Sequence, residues 1–253
     1  MTDLATDPAT EWYASFFSGS FADLWRQAMS DDDSDRETAF LIDWLDTPAG
    51  GALLDVPCGH GRHAVRLARA GYAVTGIDLS QRLLDAAHQE TGGLPVTLVQ
   101  ADMRQIPAHK PFDGAYCLGN SLAVLDRTAL EQFFAALAEA LRPGARLVLD
   151  SALTAESLLP GFEERIWLPV GDALMLVEQT YDAAEGRLDA TYTMIQNGRQ
   201  ESRPAVHWII GISELRALLD HAGFDTVAVL GDFDASPFAL GDEQVVLVAE
   251  RRG

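Results

Sequence analysis

Between residues 53 and 150 the chain alternates short apolar runs with amphipathic stretches. The runs at 53–57, 72–77, 96–100, 112–118 and 145–150 have strand length and are apolar almost throughout, which predicts parallel strands buried on both faces. The stretches 62–70, 80–90 and 127–141 carry their apolar residues at helical spacing. Such alternation builds an α/β, doubly wound sheet with helices on both faces. After residue 210 a helix over 214–222, capped by Ser213 and ended by Gly223, precedes two more strands at 226–230 and 245–250. These are expected to rejoin the main sheet and bring it to seven strands.

Between 151 and 210 the period changes. A helix or loop at 151–160 leads into runs at 165–169, 174–181, 187–196 and 202–209, which read as strands joined by the turn residues of 182–186 and by Asn197-Gly198. Leu188, Ala190, Tyr192 and Met194 alternate with polar neighbours, as in an antiparallel sheet with one face covered. Ahead of the main alternation, 11–17 and 21–25 are aromatic-rich and read as helical. Asp31 to Asp35 is a solvated charge run that starts a helix, and 36–45 continues it with Phe40, Leu41 and Trp44 or Leu45 inward. The expected units are an N-terminal helical segment (1–50), an α/β domain (51–150 with 211–253) and an antiparallel insertion over the strand ends (151–210).

The candidate chemistry is concentrated where the first strand turns into its helix. Gly59 and Gly61 leave backbone N–H groups bare beside a helix N-terminus, which suits a nucleotide-type ligand. Asp78 ends the second strand 19 residues beyond Gly59 and is placed to accept hydrogen bonds from ribose hydroxyls. It could equally cap the next helix, a role open to Ser80 as well. Asp102 and Leu118 fall at the ends of the third and fourth strands, where such sheets bind ligands.

Charge narrows the partners. The chain has 38 acidic and 18 basic side chains, a formal charge of −20, and one lysine, Lys110. Phosphate backbones and anionic membranes are therefore poor partners, and a small neutral or cationic molecule is a better one. No apolar run reaches the roughly 18 residues that span a bilayer. The N-terminus lacks the basic-then-apolar pattern of a secretory leader, so a cytoplasmic protein is expected. Two cysteines, Cys58 and Cys117, suit a reducing compartment and are too few for a structural zinc site; no metal is expected.

The flanking residues carry a resemblance. Leu54-Asp55-Val56-Pro57-Cys58-Gly59-His60-Gly61 resembles the first motif of the class I S-adenosylmethionine-dependent methyltransferases, with Pro57 where that family most often has glycine. Val74 to Ser80, Gln100-Ala101-Asp102-Met103, Phe112 to Ser121 and Leu141 to Leu147 are similar to four further motifs in the same order. The resemblance covers 53–150 and implies a Rossmann-like fold and S-adenosyl-L-methionine as cofactor. It also implies roles. Asp55, Pro57, Cys58, Gly59 and Gly61 would form the cofactor turn, with Asp78 and Leu79 at the ribose, Asp102 and Met103 at the adenine, and Leu118 near the methyl group. The N-terminal segment would be a lid over the cofactor, in which Arg36 binds the methionine carboxylate and Tyr13 is a catalytic candidate. The insertion would then cap a pocket for a small acceptor, with Asn120, Tyr192 and Trp208 as substrate-binding candidates, Tyr181 nearby, and His207 as the acid/base candidate. Asn120 and Ser121 could also be a loop start or a helix cap. Asp232 to Asp234 face the same end more weakly.

The reaction implied is transfer of a methyl group to a nitrogen or oxygen of a small molecule. Glycine spacing alone leaves an NAD(P)-dependent dehydrogenase open, because Ala64 is an allowed residue at the third glycine position of the dinucleotide fingerprint. A protein that binds the cofactor without turnover also stays open, as does a homodimer.

Overall fold

A computed structural model describes residues 12–19, 21, 24, 29–107 and 111–253. Glu11, Trp25 and Lys110 lie outside the described residues. Strands β1 (Ala52–Asp55), β2 (Ala73–Asp78), β3 (Val96–Gln100), β4 (Phe112–Cys117), β5 (Leu141–Ser151), β10 (Phe224–Leu230) and β11 (Val245–Arg251) form one sheet in the order β10-β11-β5-β4-β1-β2-β3. The first five run parallel, and β11 pairs antiparallel with both β5 and β10. The strand order reverses between β1 and β4, so a crevice opens at their carboxyl ends.

Short α1 (Tyr13–Phe16) precedes α2 (Asp31–Leu45), α3 (Arg62–Arg69) and α4 (Gln81–Glu90), followed by α5 (Arg127–Ala140), α6 (Ala155–Leu158) and α7 (Ile212–His221). Helix α2 begins at the charge run itself. Ser30 accepts the Asp33 N–H at 3.0 Å, and Asp31, Asp32 and Asp33 lie against the positive end of the helix dipole. Phe40, Leu41 and Leu45 are buried as expected, and Trp44 packs on Phe40 from a half-buried position. Ser213 does not cap α7. Gly211 takes that position, and the Ile212 N–H donates to Glu156 Oε2 at 2.9 Å, so a side chain distant in sequence supplies the cap.

Two apolar layers sandwich the main sheet. Leu54, Ile77, Phe133, Phe134 and Leu247 belong to one; Leu41, Leu53, Leu67, Tyr116 and Val148 belong to the other. The second sheet is the expected antiparallel meander, β6 (Arg165–Val170), β7 (Ala173–Asp182), β8 (Arg187–Gln196) and β9 (Arg199–Trp208). Its last strand starts at Arg199 rather than at 202 because Asn197 and Gly198 both take positive φ (52° and 72°), a two-residue turn that keeps Gln196 paired with Arg199. Trp12, Phe16, Phe21 and Leu24 pack on Met175, Val177, Ala190, Met194 and Ala205, so the N-terminal segment covers the apolar face of this sheet.

Gly76 on β2 shows how tightly the sheet supports the turn above it. A Cβ there would lie 2.9 Å from both Cys58 Sγ and Leu98 Cδ2. Gly76→Ala is expected to lower the unfolding free energy by about 1–3 kcal/mol through overpacking. Urea denaturation followed by circular dichroism measures it, and an unchanged midpoint would refute the crowding.

Candidate cofactor and acceptor site

The turn after β1 is held from both neighbouring strands. Val56 N–H donates to Tyr116 O at 3.1 Å, and Cys58 N–H donates to Ile77 O at 2.8 Å. Pro57 follows a cis peptide. Gly59 and Gly61 have φ of 55° and 78°, the left-handed region that favours glycine. A Cβ at Gly59 would meet nothing within 4 Å, so the backbone here faces open space. Helix α3 starts directly after Gly61 with no side chain capping it, which leaves a positive helix end at the turn.

Asp78 binds this turn to the next. Its Oδ2 accepts the Gly59 N–H and its Oδ1 the Ser80 N–H, each at 2.8 Å. The cap of α4 is Ser80, which accepts from Leu83 N at 3.4 Å, so of the two residues that the sequence offers as the cap it is Ser80 that fills it. Burial raises the Asp78 pKa against the pull of its amide donors. A carboxylate has about four acceptor sites, so capacity for ribose hydroxyls remains. Leu79 is exposed beside it. Asp102 is part-buried and its carboxylate is gripped by the Arg104 guanidinium and backbone; burial pushes its pKa up, but Arg104 outweighs that and holds it below the usual range. Met103 packs at the edge of the core, and Leu118 is buried just past β4.

Arg36 lies on the surface, with Nη1 3.2 Å from Asp232 Oδ2 and Nη2 3.5 Å from Asp33 Oδ1. The part-buried arginine beside the turn is Arg62. Its Nη1 is 2.5 Å from Glu37 Oε2 and 3.2 Å from Ser34 Oγ, and His63 Nε2 is 2.6 Å from the same Glu37 oxygen. Burial raises the Glu37 pKa, but His63 and Arg62 together bring it below the ordinary value. Burial lowers His63 to about 4. Asp55 Oδ2 and the Tyr116 hydroxyl, on directly paired residues, are buried without a hydrogen-bond partner; Tyr116 stands near enough to affect Asp55, but not in bonding geometry. Glu37 was missed although it shares a stripe with Ser34, Thr38, Leu41 and Leu45 on α2, where a buried carboxylate stands out.

Asn120 (φ 63°) caps nothing with its side chain. Its Oδ1 accepts the Ala152 N–H at 2.5 Å and its own N–H points at Asp150 Oδ1, 3.4 Å away, which joins the loop after β4 to the end of β5. Ser121 Oγ donates to Leu118 O at 3.0 Å.

On the second sheet, Tyr192 and His207 meet, Oη to Nε2, at 3.0 Å, and the other ring nitrogen of His207 is buried without a hydrogen-bond partner. Burial pushes His207 down to about 4 and Tyr192 up to about 12. Trp12 packs edge-on against His207 and Tyr13 against Trp12, with centroids 5.1 and 6.2 Å apart. Trp208 is half-buried against the same cluster, whereas Tyr181 pairs with Phe162. Arg203 on β9 fastens the N-terminal segment to this sheet. Its guanidinium donates to the carbonyls of Ser15 and Phe16 and to Ser18 Oγ, and stacks 4.6 Å over Phe21. Ser80 Oγ in turn reaches Phe17 O at 3.5 Å, so the segment joins the second sheet to the Asp78 loop.

Residues 53–144 match the methyltransferase domain family. An O-methyltransferase of Aspergillus nomiae, rstn1, is 32% identical over 198 residues, covering 71% of this chain and 86% of that protein. The chain belongs to the class I S-adenosylmethionine-dependent methyltransferases. The cypemycin N-terminal methyltransferase of a Streptomyces species is 26% identical, covering 85% of this chain and 90% of its own. Among solved structures, the CcbJ methyltransferase of Streptomyces caelestis superposes with a TM-score of 0.79 over 95% of this chain and 99% of its own, at 19% identity. This enzyme's cofactor is S-adenosylmethionine, and the site fits it. The open Gly59 turn, the uncapped α3 N-terminus, the spare acceptor sites on Asp78 and the unpaired Asp55 oxygen suit a nucleoside with a cationic side chain. Among the described residues no group of three or more metal-ligating side chains occurs, and no helix is long and apolar enough to cross a membrane.

Asp78→Ala is expected to weaken S-adenosylmethionine binding about tenfold or more, roughly 1.4 kcal/mol, with the far-ultraviolet dichroism unchanged. Titration calorimetry measures it; equal affinity in mutant and wild type would remove Asp78 from the site. Arg203→Ala frees the N-terminal segment, and limited proteolysis is expected to cut within residues 12–24 several-fold faster, so an unchanged cleavage rate would exclude Arg203 as the fastening.

Proposed function

We propose that this methyltransferase acts on a small molecule, with a nitrogen as the attacked atom, and that the acceptor lies between the glycine turn and the second sheet. The observation that carries this reading is the part-buried Tyr192–His207 contact under Trp12, whose N-terminal segment also touches the Asp78 loop. In this reading Gly59, Gly61, Asp55, Pro57 and Cys58 cradle the cofactor, Asp78 and Leu79 take the ribose, Asp102 and Met103 the adenine, and Leu118 borders the reacting end. Arg36 is the carboxylate ligand only if it leaves Asp232. The cofactor supplies an electrophilic methyl group on sulfur.

The protein's share is alignment and exclusion of water. Residues 1–50 serve as a lid and 151–210 as a cap, with Tyr13, Asn120, Tyr192 and Trp208 positioning the acceptor. His207 is uncharged, since burial holds its pKa near 4. An imidazole that weakly basic is a poor acceptor for the proton of a hydroxyl, which gives it up only near pH 10 or above. It can still accept a hydrogen bond from an N–H and orient the nitrogen lone pair, which needs no base once the amine arrives unprotonated. The relatives do not decide the atom: the cypemycin enzyme is an N-terminal methyltransferase, and rstn1 is an O-methyltransferase. A charge of −20 supports a small acceptor over nucleic acid; the exposed apolar positions Trp167, Leu168 and Leu174 of the second sheet leave room for a homodimer.

Incubation with methyl-labelled cofactor and a panel of small amines, phenols and alcohols tests this. Label is expected in amines, and transfer to hydroxyl compounds alone would overturn the choice of nitrogen. His207→Phe is expected to lower kcat at least tenfold while leaving cofactor affinity unchanged, and an unaltered kcat would remove His207 from the reaction.

A further inference from the structure

Successive residues of the second sheet point to opposite faces, and the two faces differ in what covers them. Met175, Val177, Ala190 and Met194 lie under the chain's own N-terminal segment. The opposite face lacks that cover, and there Trp167 is 53% and Leu174 39% exposed. Cross-strand pairing arranges this face in rows. One row across β6, β7, β8 and β9 is Trp167, Leu176, Thr193 and Ser202, with Thr193 Oγ1 and Ser202 Oγ 2.9 Å apart. The next row towards the Asn197 hairpin sets Leu174 and Ile195 between Pro169 and Gln200. Neither row carries a charge.

Charge decides what such a face can meet. The chain has 38 acidic and 18 basic side chains and a formal charge of −20. On the other side of the uncharged rows, Arg165 and Glu178 pair at 3.0 Å, and beyond them Arg187 Nη2 lies 2.7 Å from Asp189 Oδ1. Up to the turn at 182–186, every acid on this face is therefore matched by an arginine. Two copies of so acidic a chain repel each other over most of their surfaces, and they approach at least cost where the face is neutral. The edges of the sheet are less open to a partner. Pro169 lies on β6 and Pro204 on β9, the two outer strands. A proline on an edge strand has no N–H to offer and blunts strand addition, which favours contact with the face over contact with an edge.

We propose that a second copy of this chain docks on this face, sheet against sheet, in a two-fold dimer anchored by Trp167, Leu174 and Leu176. The proposal gives the homodimer a specific surface, and it rests neither on the choice of acceptor nor on the glycine turn. In a two-fold pair the same patch meets itself, so uncharged positions are covered by uncharged positions. Exposed tryptophan and leucine beside a lack of charge is the composition of an interface core. Four strands about 4.8 Å apart and about 30 Å long offer roughly 600 Å² per copy, or about 1,200 Å² for the pair, the lower bound of stable specific interfaces. Nucleic acid and anionic membranes are poor occupants of a chain this acidic.

Sedimentation velocity of the whole protein at micromolar concentration tests this. The wild type is expected at twice the monomer mass, and the dimer should tighten as sodium chloride is raised, because salt screens the repulsion between copies and leaves apolar contacts in place. Trp167→Glu with Leu174→Glu puts charge into both rows and is expected to raise the dimer Kd at least about thirtyfold. Its far-ultraviolet dichroism and S-adenosylmethionine affinity should be unchanged, since neither residue belongs to the cofactor site. Val227→Glu, an exposed apolar position on β10, should leave the dimer intact. If the double variant does not fold, hydroxyl-radical footprinting of the wild type decides, with Trp167 expected to be several-fold less modified at high protein concentration than at low. A monomeric wild type, a dimer that survives the double substitution, or equal modification of Trp167 at both concentrations would overturn the proposal. S-adenosylmethionine binding in the same samples reports on the cofactor site separately.

Discussion

Asp78 is the constraint on which the rest of the site depends. One carboxylate accepts an amide from the glycine turn and another from the loop that starts α4, so two turns from different strands are held by a single rigid group. The oxygen that reaches Gly59 cannot do so unless Gly76, two residues earlier on the same strand, lets Cys58 lie against the sheet. Gly59 and Gly61 then take conformations that would strain a larger residue, and the face beside Gly59 stays open. The glycine turn is therefore fixed by the protein's own bonds, which is what preorganisation requires.

Around that turn the fold concentrates acid where water is scarce. Strand ends in a doubly wound sheet sit close together under the helices that cover them, and β1, β2 and β5 each bring an aspartate to that layer. Glu37 and Arg62 satisfy one another across α2 and α3, and so tie the N-terminal helix to the helix that follows the glycines. The remaining acids at this layer are Asp78, held by backbone amides, and Asp55 and Asp150, whose pKa values burial raises.

The second sheet has a different logic. An antiparallel sheet with one apolar face must cover it, and here the cover is the chain's own aromatic N-terminus, held by Arg203 and by the Trp12 indole N–H on Val206 O. The same segment contacts Ser80, so the element that completes the core of the second sheet also borders the Asp78 loop. Stability and access to the site are thereby linked through one segment, and His207 and Tyr192 lie where the two meet.

Local pattern determined much of this protein. Strand and helix order, the parallel core, the antiparallel meander and the glycine turn with its acidic partner could all be read along the chain, because period, glycine placement and turn residues are local properties. Element ends shifted by a few residues where a cap lay outside the pattern, as at Ser30 and Glu156. Tertiary structure alone decided which charges meet. Arg36 was drawn to Asp232, 196 positions away, while Arg62 entered the buried layer with Glu37. Asp150 read as an ordinary strand residue until the sheet put it beneath Asn120 and within reach of Glu37. Burial is a property of the assembled layers, and pKa follows burial; a sequence names the acids, but only the packed fold determines which of them are cut off from water.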